Sequence, residues 1–329
     1  MICELLEQRV KSSRAHLVFA DAHDERVLSA LETLSQESAL LLTALISRDT
    51  AERIIGRPLS KTIMFDDGLA HQHNVQQFLV SKRSAKGLTD AMAYELSSNP
   101  LFIAGWMVHT GRADAAVAGS ISTTSDVIRA ALWTVGLSSG VQTLSSYFLM
   151  DWPDRYFLFS DCGVVPDPSV DQLVDIAHAS VTSLHALTND EPRIAFVSFS
   201  THGSAQHPLV DKVRSATALF SKKHPNIKAD GELQIDAAIV PSVASRKAPD
   251  SLVAGNANIL VFPDLNAGNS AYKIAERLGG ATALGPILQG LAKPYCDLSR
   301  GCIPDDIVHV ARIAALMAAV PSWTEPATT

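Results

Sequence analysis
The chain has 329 residues, 47% of them hydrophobic, with a formal net charge of −7 and a pI near 5.9. That length predicts about two domains, and the apolar content is ample for a core in each. The acidic balance argues against general binding to nucleic acid or an anionic membrane, although a local basic cleft would still accept a polyanionic substrate.

The longest apolar runs, at 39–46 (broken only by Thr43) and 313–320, fall far short of the roughly 20 residues that span a bilayer. The N-terminus lacks a signal-peptide pattern, so a cytoplasmic protein is expected. Cys3, Cys162, Cys296 and Cys302 have no zinc-like spacing and are too few for a disulfide framework, so reduced thiols are expected.

Residues 16–20, His-Leu-Val-Phe-Ala, read as a short buried strand, and residues 24–31 as a helix with an acidic start and apolar positions at helical spacing. Further strands are expected at 39–46 and 61–65, an alternation that predicts a mainly parallel sheet covered by helices. Lys82, Arg83 and Lys86 lie in the most basic short stretch of the N-terminal half, and composition alone reads them as a solvated helix end.

Helices follow at 88–96 and 101–109, then a strand at 114–118 that ends in Gly119. The hydroxyl-rich segment Gly119–Ser125 opens a helix that carries Asp126 and Arg129 near its start. A strand, a glycine turn and a helix N-terminus form an anion site, because free N–H groups and the helix dipole face the loop. The same serines and threonines also suit helix capping, and both roles stay open. A cation near a helix start opposes the dipole, so Arg129 is read as a ligand residue or an ion-pair partner. The lysine of a P-loop is absent.

Strands at 145–150 and 155–160, joined by the turn Asp151-Trp152-Pro153-Asp154, read as a hairpin where one domain hands over to the next. A long helix is expected from Ser169 to about Leu187, then a strand at 193–198. The loop Ser198–Ala205 after it suits phosphate or pantetheine contact, or is a polar surface turn. His202 and His207 lack a third ligand at matching spacing, so no metal is expected. A strand at 259–262, a helix at 272–278 and a strand at 282–284 complete the second domain, and the tail 321–329 reads as frayed.

The densest chemistry lies at 293–308, Lys-Pro-Tyr-Cys-Asp-Leu-Ser-Arg-Gly-Cys-Ile-Pro-Asp-Asp-Ile-Val, read as a loop running into a helix that starts near Pro304. Arg300 offers a planar fork for phosphate or carboxylate, Ser299 adds a donor, and Gly301 lets the backbone turn close to a ligand. Asp306 is near enough to act as a base toward a group held there, and Asp305 and Asp306 equally suit the helix dipole.

This stretch, with Gly285–Leu291, Phe262–Asn269 and Gly119–Arg129, resembles the phosphate acetyltransferase (phosphotransacetylase) family from about residue 111 to 315, and more loosely before that. Asp161–Pro168 also resembles a family loop, with Gly163 and Val165 as substitutions, whereas Ala20-Asp21-Ala22 stands where the family has Pro-Glu-Gly, ahead of a retained Asp24-Glu25-Arg26. That departure weakens any role for the latter loop.

The resemblance implies an isocitrate/isopropylmalate dehydrogenase-like architecture, two α/β/α domains with an active-site cleft between them, and a homodimer. The first domain would comprise 1–148 and 296–329, the second 149–295. It implies reversible transfer of acetyl between coenzyme A and phosphate, with coenzyme A as a substrate and no permanently bound cofactor. Asp306, Arg300 and Ser299 would be catalytic, Arg129, Arg83, Thr124 and Ser125 would bind substrate or phosphate, and Ser200, Thr201 and Ser204 would contact coenzyme A.

The thiol would attack directly, without a covalent enzyme intermediate. A thiol near pKa 8.5 and an aspartate near 3.9 make unassisted transfer to Asp306 uphill by roughly 6 kcal/mol, so a carboxylate alone is not the whole answer. Arg300 would stabilise the thiolate. Propionyl or butyryl phosphate are alternative substrates within the same chemistry. The metal-dependent dehydrogenases of similar architecture need an aspartate cluster and a nucleotide loop that this sequence lacks, and a non-catalytic coenzyme A-binding relative is disfavoured by the retained Ser299, Arg300 and Asp306.

Overall fold
The computed structural model describes residues 2–319, which divide into two compact units: residues 3–139 with those from 291 to 319, and residues 140–290 with residue 2. The tail expected to fray, 321–329, lies outside the described residues. The chain runs through α1 (Ile2–Val10), β1 (His16–Phe19), α2 (Glu25–Leu34), β2 (Leu41–Ala44), α3 (Arg48–Ile55), β3 (Ile63–Phe65), α4 (Gln72–Arg83), α5 (Asp90–Ser97), α6 (Pro100–His109), β4 (Ala115–Ala118) and α7 (Thr124–Thr134). It then builds β5 (Ser145–Asp151), β6 (Tyr156–Ser160), α8 (Val170–Leu187), β7 (Arg193–Val197), α9 (Pro208–Lys223), β8 (Lys228–Leu233), α10 (Ile235–Ile239), α11 (Pro241–Lys247), β9 (Ile259–Val261), α12 (Leu265–Arg277) and β10 (Thr282–Gln289). It returns to the first unit with β11 (Tyr295–Asp297) and α13 (Pro304–Ala319).

The first unit holds a parallel sheet in the order β11-β4-β1-β2-β3. Its strands β1 and β4 are nearly continuous apolar runs, as expected where helices cover both faces. The uninterrupted apolar sequence of α6 buries residues 101 to 108, and Phe102 and Trp106 pack with Val18 and Tyr295 in one core. The second unit holds the sheet β10-β5-β6-β9-β7-β8, antiparallel across β10, β5 and β6 and parallel beyond. Its core gathers Phe148, Phe159, Leu260 and Phe262, with Tyr272 stacked on Phe148 at 3.8 Å between ring centres.

Several expectations are corrected. The 148/149 boundary would cut β5, which hydrogen-bonds to β6 on one side and β10 on the other and so lies wholly in the second unit. Residues 295–297, read as loop, are a strand paired in register with Ala116 to Ala118 of β4, too short to show a period in sequence. The helix expected at 272–278 starts at Leu265, where Asp264 caps it by accepting from the Ala267 amide at 3.0 Å.

The consequence for the site is directional. Because β1, β4 and β11 are adjacent and parallel, the loops that follow them leave the same edge of the sheet, the end where open α/β sheets place their ligands.

Candidate active site
Arg26, in the first turn of α2, binds those three loops together. Its Nε sits 3.1 Å from each Asp24 oxygen and one terminal nitrogen 2.7 Å from Asp24 Oδ2. The same guanidinium donates to the carbonyls of Ser120 (2.9 Å), Arg300 (2.9 Å) and Cys302 (2.8 Å). Burial pushes the Asp24 carboxyl up, but hydrogen bonds and charge from Arg26 outweigh it and hold it below the usual carboxylate range. Arg26 itself is raised by its hydrogen bond to Asp24.

Asp21 occupies the nest expected for a substrate anion. Its carboxylate accepts from the amides of Gly119 (2.7 Å), Ile121 (3.3 Å) and Ser122 (3.3 Å) and from the Ser122 hydroxyl (2.7 Å). The anion held by 119–122 is therefore the chain's own carboxylate, where the sequence reading expected a ligand's. Thr123 caps α7 by accepting from the Asp126 amide at 3.2 Å. The amides of Thr124 and Ser125 in the first turn have no partner among the described residues, and both side chains are exposed. Arg129 takes its ion-pair reading here, 2.8 Å from Asp126, with both side chains about half exposed.

Ser299 and Arg300 are exposed at the tip of the loop after β11. The Ser299 hydroxyl accepts from the Gly301 amide at 3.2 Å, and Arg300 contributes its carbonyl to Arg26, leaving its guanidinium without an ion pair among the described residues. Asp306, third in α13, reaches back to accept from the Ile303 amide at 2.9 Å, which turns its carboxylate toward the loop end of the helix. Cys302 is buried between them, and burial pushes its thiol up against the opposing charge of Arg26.

The other assigned residues lie elsewhere. Arg83 stacks over Trp133 at 5.1 Å and donates to the Leu132 carbonyl at 3.0 Å, near the C-terminal end of α7 where a cation suits the dipole. In the second unit, Ser200 and Thr201 are buried, and their hydroxyls donate to Glu232 (2.9 Å) and Gln234 (3.3 Å), while the Ser204 hydroxyl accepts from the Thr201 amide at 3.0 Å. These three hydroxyls are committed to the loop's own structure. No cluster of three or more potential metal ligands occurs among the described residues.

Arg26, Asp21 and Asp297 carry weight that the sequence reading did not give them. Each had a signal. Arg26 is a cation in a first helical turn, Asp21 lies two residues beyond the end of β1, and Asp297 ends β11, both carboxylates at the sheet's ligand-facing edge.

The sequence pattern that defines the phosphate acetyl/butaryl transferases matches residues 1–315. The chain belongs to this family. It is 39% identical over 323 residues to the phosphate acetyltransferase of Acetivibrio thermocellus, covering 96% of this chain and 97% of that protein. The crystal structure of a phosphotransacetylase from Streptococcus pyogenes superposes with a TM-score of 0.88 at 37% identity, covering 95% of this chain and 98% of that one. A 4-hydroxythreonine-4-phosphate dehydrogenase from Klebsiella pneumoniae superposes at a TM-score of 0.57 with 12% identity over 92% and 99% of the two chains, which shows a shared dehydrogenase-like fold alone. The chain thus has the two-unit α/β fold of the phosphate acetyl/butaryl transferases, and its Ser299-Arg300-Gly301 loop rests on the Arg26 clamp just described.

Proposed function
We propose that this chain is a phosphate acetyltransferase, converting acetyl-CoA and phosphate reversibly into acetyl phosphate and coenzyme A. Family membership supports the reaction. The observation that supports the residue assignment is the loop at 299–306, where an exposed guanidinium without an ion pair among the described residues stands six residues before a carboxylate that folds back onto the Ile303 amide at the helix start.

In this reading Asp306 accepts the coenzyme A proton and Arg300 stabilises the thiolate, which attacks the acetyl carbon directly; Ser299 and Arg300 then hold the developing oxyanion. Thr124 and Ser125, with the unpaired amides of α7, receive the phosphate, and Arg129 exchanges Asp126 for it. Arg83 would reach a phosphorylated substrate only by leaving Trp133. We further propose a cytoplasmic homodimer, to be checked by light scattering.

The test is thiol consumption with acetyl phosphate and coenzyme A. Asp306→Asn and Arg300→Ala should each lose turnover by on the order of 100-fold or more. Near-normal turnover in both would remove the assignment, and the same assay with propionyl and butyryl phosphate sets the chain-length preference.

A further inference from the structure
Four strands of the second sheet, β6, β9, β7 and β8, run parallel, so the loops that follow them leave one edge. From β7 the chain passes through α9 to β8 on one side, whereas from its neighbour β9 it passes through α12 to β10 at the opposite end of the sheet. Adjacent strands whose connections diverge in this way mark the switch point beyond whose carboxyl ends open α/β sheets bind ligands. Phe199 stands there, two residues after β7. Of the eleven phenylalanines in the chain it alone is exposed, at 55%.

Polar groups along this edge are already occupied. Asp161, after β6, accepts from the amides of Ser146, Gly163, Val164 and Val165 and from the Ser146 hydroxyl, and Asp264, after β9, caps α12. In the loop after β7 the buried Glu232 carboxylate accepts from the Ser200 hydroxyl, the Gly203 amide and Arg214, and the Ser204 hydroxyl accepts from the Thr201 amide. The loop is therefore a fixed mount, and what it presents to solvent is an aromatic ring. His207 meets that ring at 66° with 6.0 Å between centres, and is itself pinned by accepting from the Leu209 amide at 3.2 Å to cap α9.

Lys212 supplies a cation at the same switch point. From the second turn of α9 its ammonium donates to the Pro263 carbonyl, after β9, at 2.9 Å and to Asp167, in the loop after β6, at 2.8 Å. An ammonium has three donors, and the third has no acceptor among the described residues. The Asp167 side chain is 83% exposed, so that pair is weak and yields to a phosphate.

We propose that Phe199 is the platform on which the adenine ring of coenzyme A stacks, with Lys212 taking a phosphate of the same nucleotide end. This rests on the acyl-transfer reading above and deepens it by naming what distinguishes coenzyme A from a shorter thiol. Stacking on a rigid phenyl ring needs no hydrogen-bond donor, which suits a loop whose donors are spent. Ser200, Thr201 and Ser204 then serve coenzyme A indirectly, by holding the mount. The contact is remote from the reacting sulfur, so it sets affinity for the nucleotide rather than the rate of acyl transfer.

The decisive experiment compares coenzyme A with 4′-phosphopantetheine, which carries the same thiol without the adenosine, as acceptors from acetyl phosphate. Phe199→Ala and Phe199→Leu should each raise KM for coenzyme A by on the order of tenfold to 100-fold with kcat little changed, and leave both constants for 4′-phosphopantetheine at wild-type values. Phe199→Trp should restore the KM for coenzyme A. The side chain is exposed, so its replacement should leave folding intact. A wild-type KM for coenzyme A in Phe199→Ala, or an equal loss with both thiols, overturns the proposal. Calorimetric titration with adenosine 3′,5′-bisphosphate reads the platform without turnover: the wild type should bind it, and Phe199→Ala and Lys212→Gln should each bind on the order of tenfold more weakly. Unchanged binding in either variant overturns the contact it removes, and no binding by the wild type overturns both. A wild type that binds the bisphosphate but turns over neither thiol overturns the acyl-transfer reading instead.

Discussion

The Arg26 guanidinium and the Cys302 carbonyl meet at 2.8 Å, so the loop that presents Arg300 hangs from the first turn of α2. Position in the loop is thereby set by a residue that need not touch substrate. Arg26→Lys keeps the charge but loses the planar fork that reaches Asp24 and three carbonyls together. Turnover should fall by roughly tenfold to 100-fold, because a displacement of about 1 Å at a reacting group costs that much. Steady-state rates beside a thermal melt check it; an unchanged rate would show that the loop holds its place without the clamp.

Asp21 supports four donors of the 119–122 loop. Asp21→Ala leaves the buried Gly119 amide and three part-buried donors without their acceptor, at a cost of about 2–4 kcal/mol, and should lower the melting temperature by several degrees. Asp21→Glu, the residue type of the family's Pro-Glu-Gly loop, should retain most of that stability. A melt of Asp21→Ala that matches the wild type would show that water replaces the carboxylate freely.

Asp297 also makes a stability prediction whose sign is the reverse of most buried carboxylates. Its carboxyl is raised from 3.8 to about 7, so the folded chain holds a proton that the unfolded chain releases across that window. Stability is fully present below the lower value and is lost as pH rises through the upper one. Asp297→Asn should therefore melt higher than wild type at pH 8, by on the order of a few kcal/mol, with the gap closing toward pH 4. A constant difference at all pH values would contradict the shift.

Glu232 behaves oppositely. Burial alone would raise it, but hydrogen bonds from Arg214, the Gly203 amide and the Ser200 hydroxyl overcome this and lower it from 4.5 to about 2. Its stabilisation of the 198–205 loop is present above pH 4.5 and fades as pH falls toward 2. Melts of Glu232→Gln should be less stable than wild type at pH 7 and converge with it near pH 2; parallel curves would assign the acid sensitivity to other carboxylates.

Much of the architecture is readable from the chain because its long elements carry their own signals. The α8 capping box, Ser169 with Gln172, and the alternating strand and helix runs are local features. Residues 295–297 are not readable that way, since Tyr-Cys-Asp becomes a strand only by pairing with β4, more than 170 positions upstream. The candidate site divides along the same line. Ser299, Arg300 and Asp306 stand out because they cluster in sequence, whereas Asp21 and Asp297 gain their meaning from meeting on either side of Gly119, which no spacing reveals. Hydroxyls mislead for the same reason: Ser200 and Thr201 look free in the sequence and are spent on Glu232 and Gln234.

The edge strand β11 is made only after the chain has passed through all of residues 140–290. During synthesis the first sheet must wait on the ribosome with β4 uncapped along one side, while the intervening unit is free to mature. A nascent chain released early would lack Tyr295, Asp297 and Arg300 together, and would leave the β4 edge open to pairing with other chains.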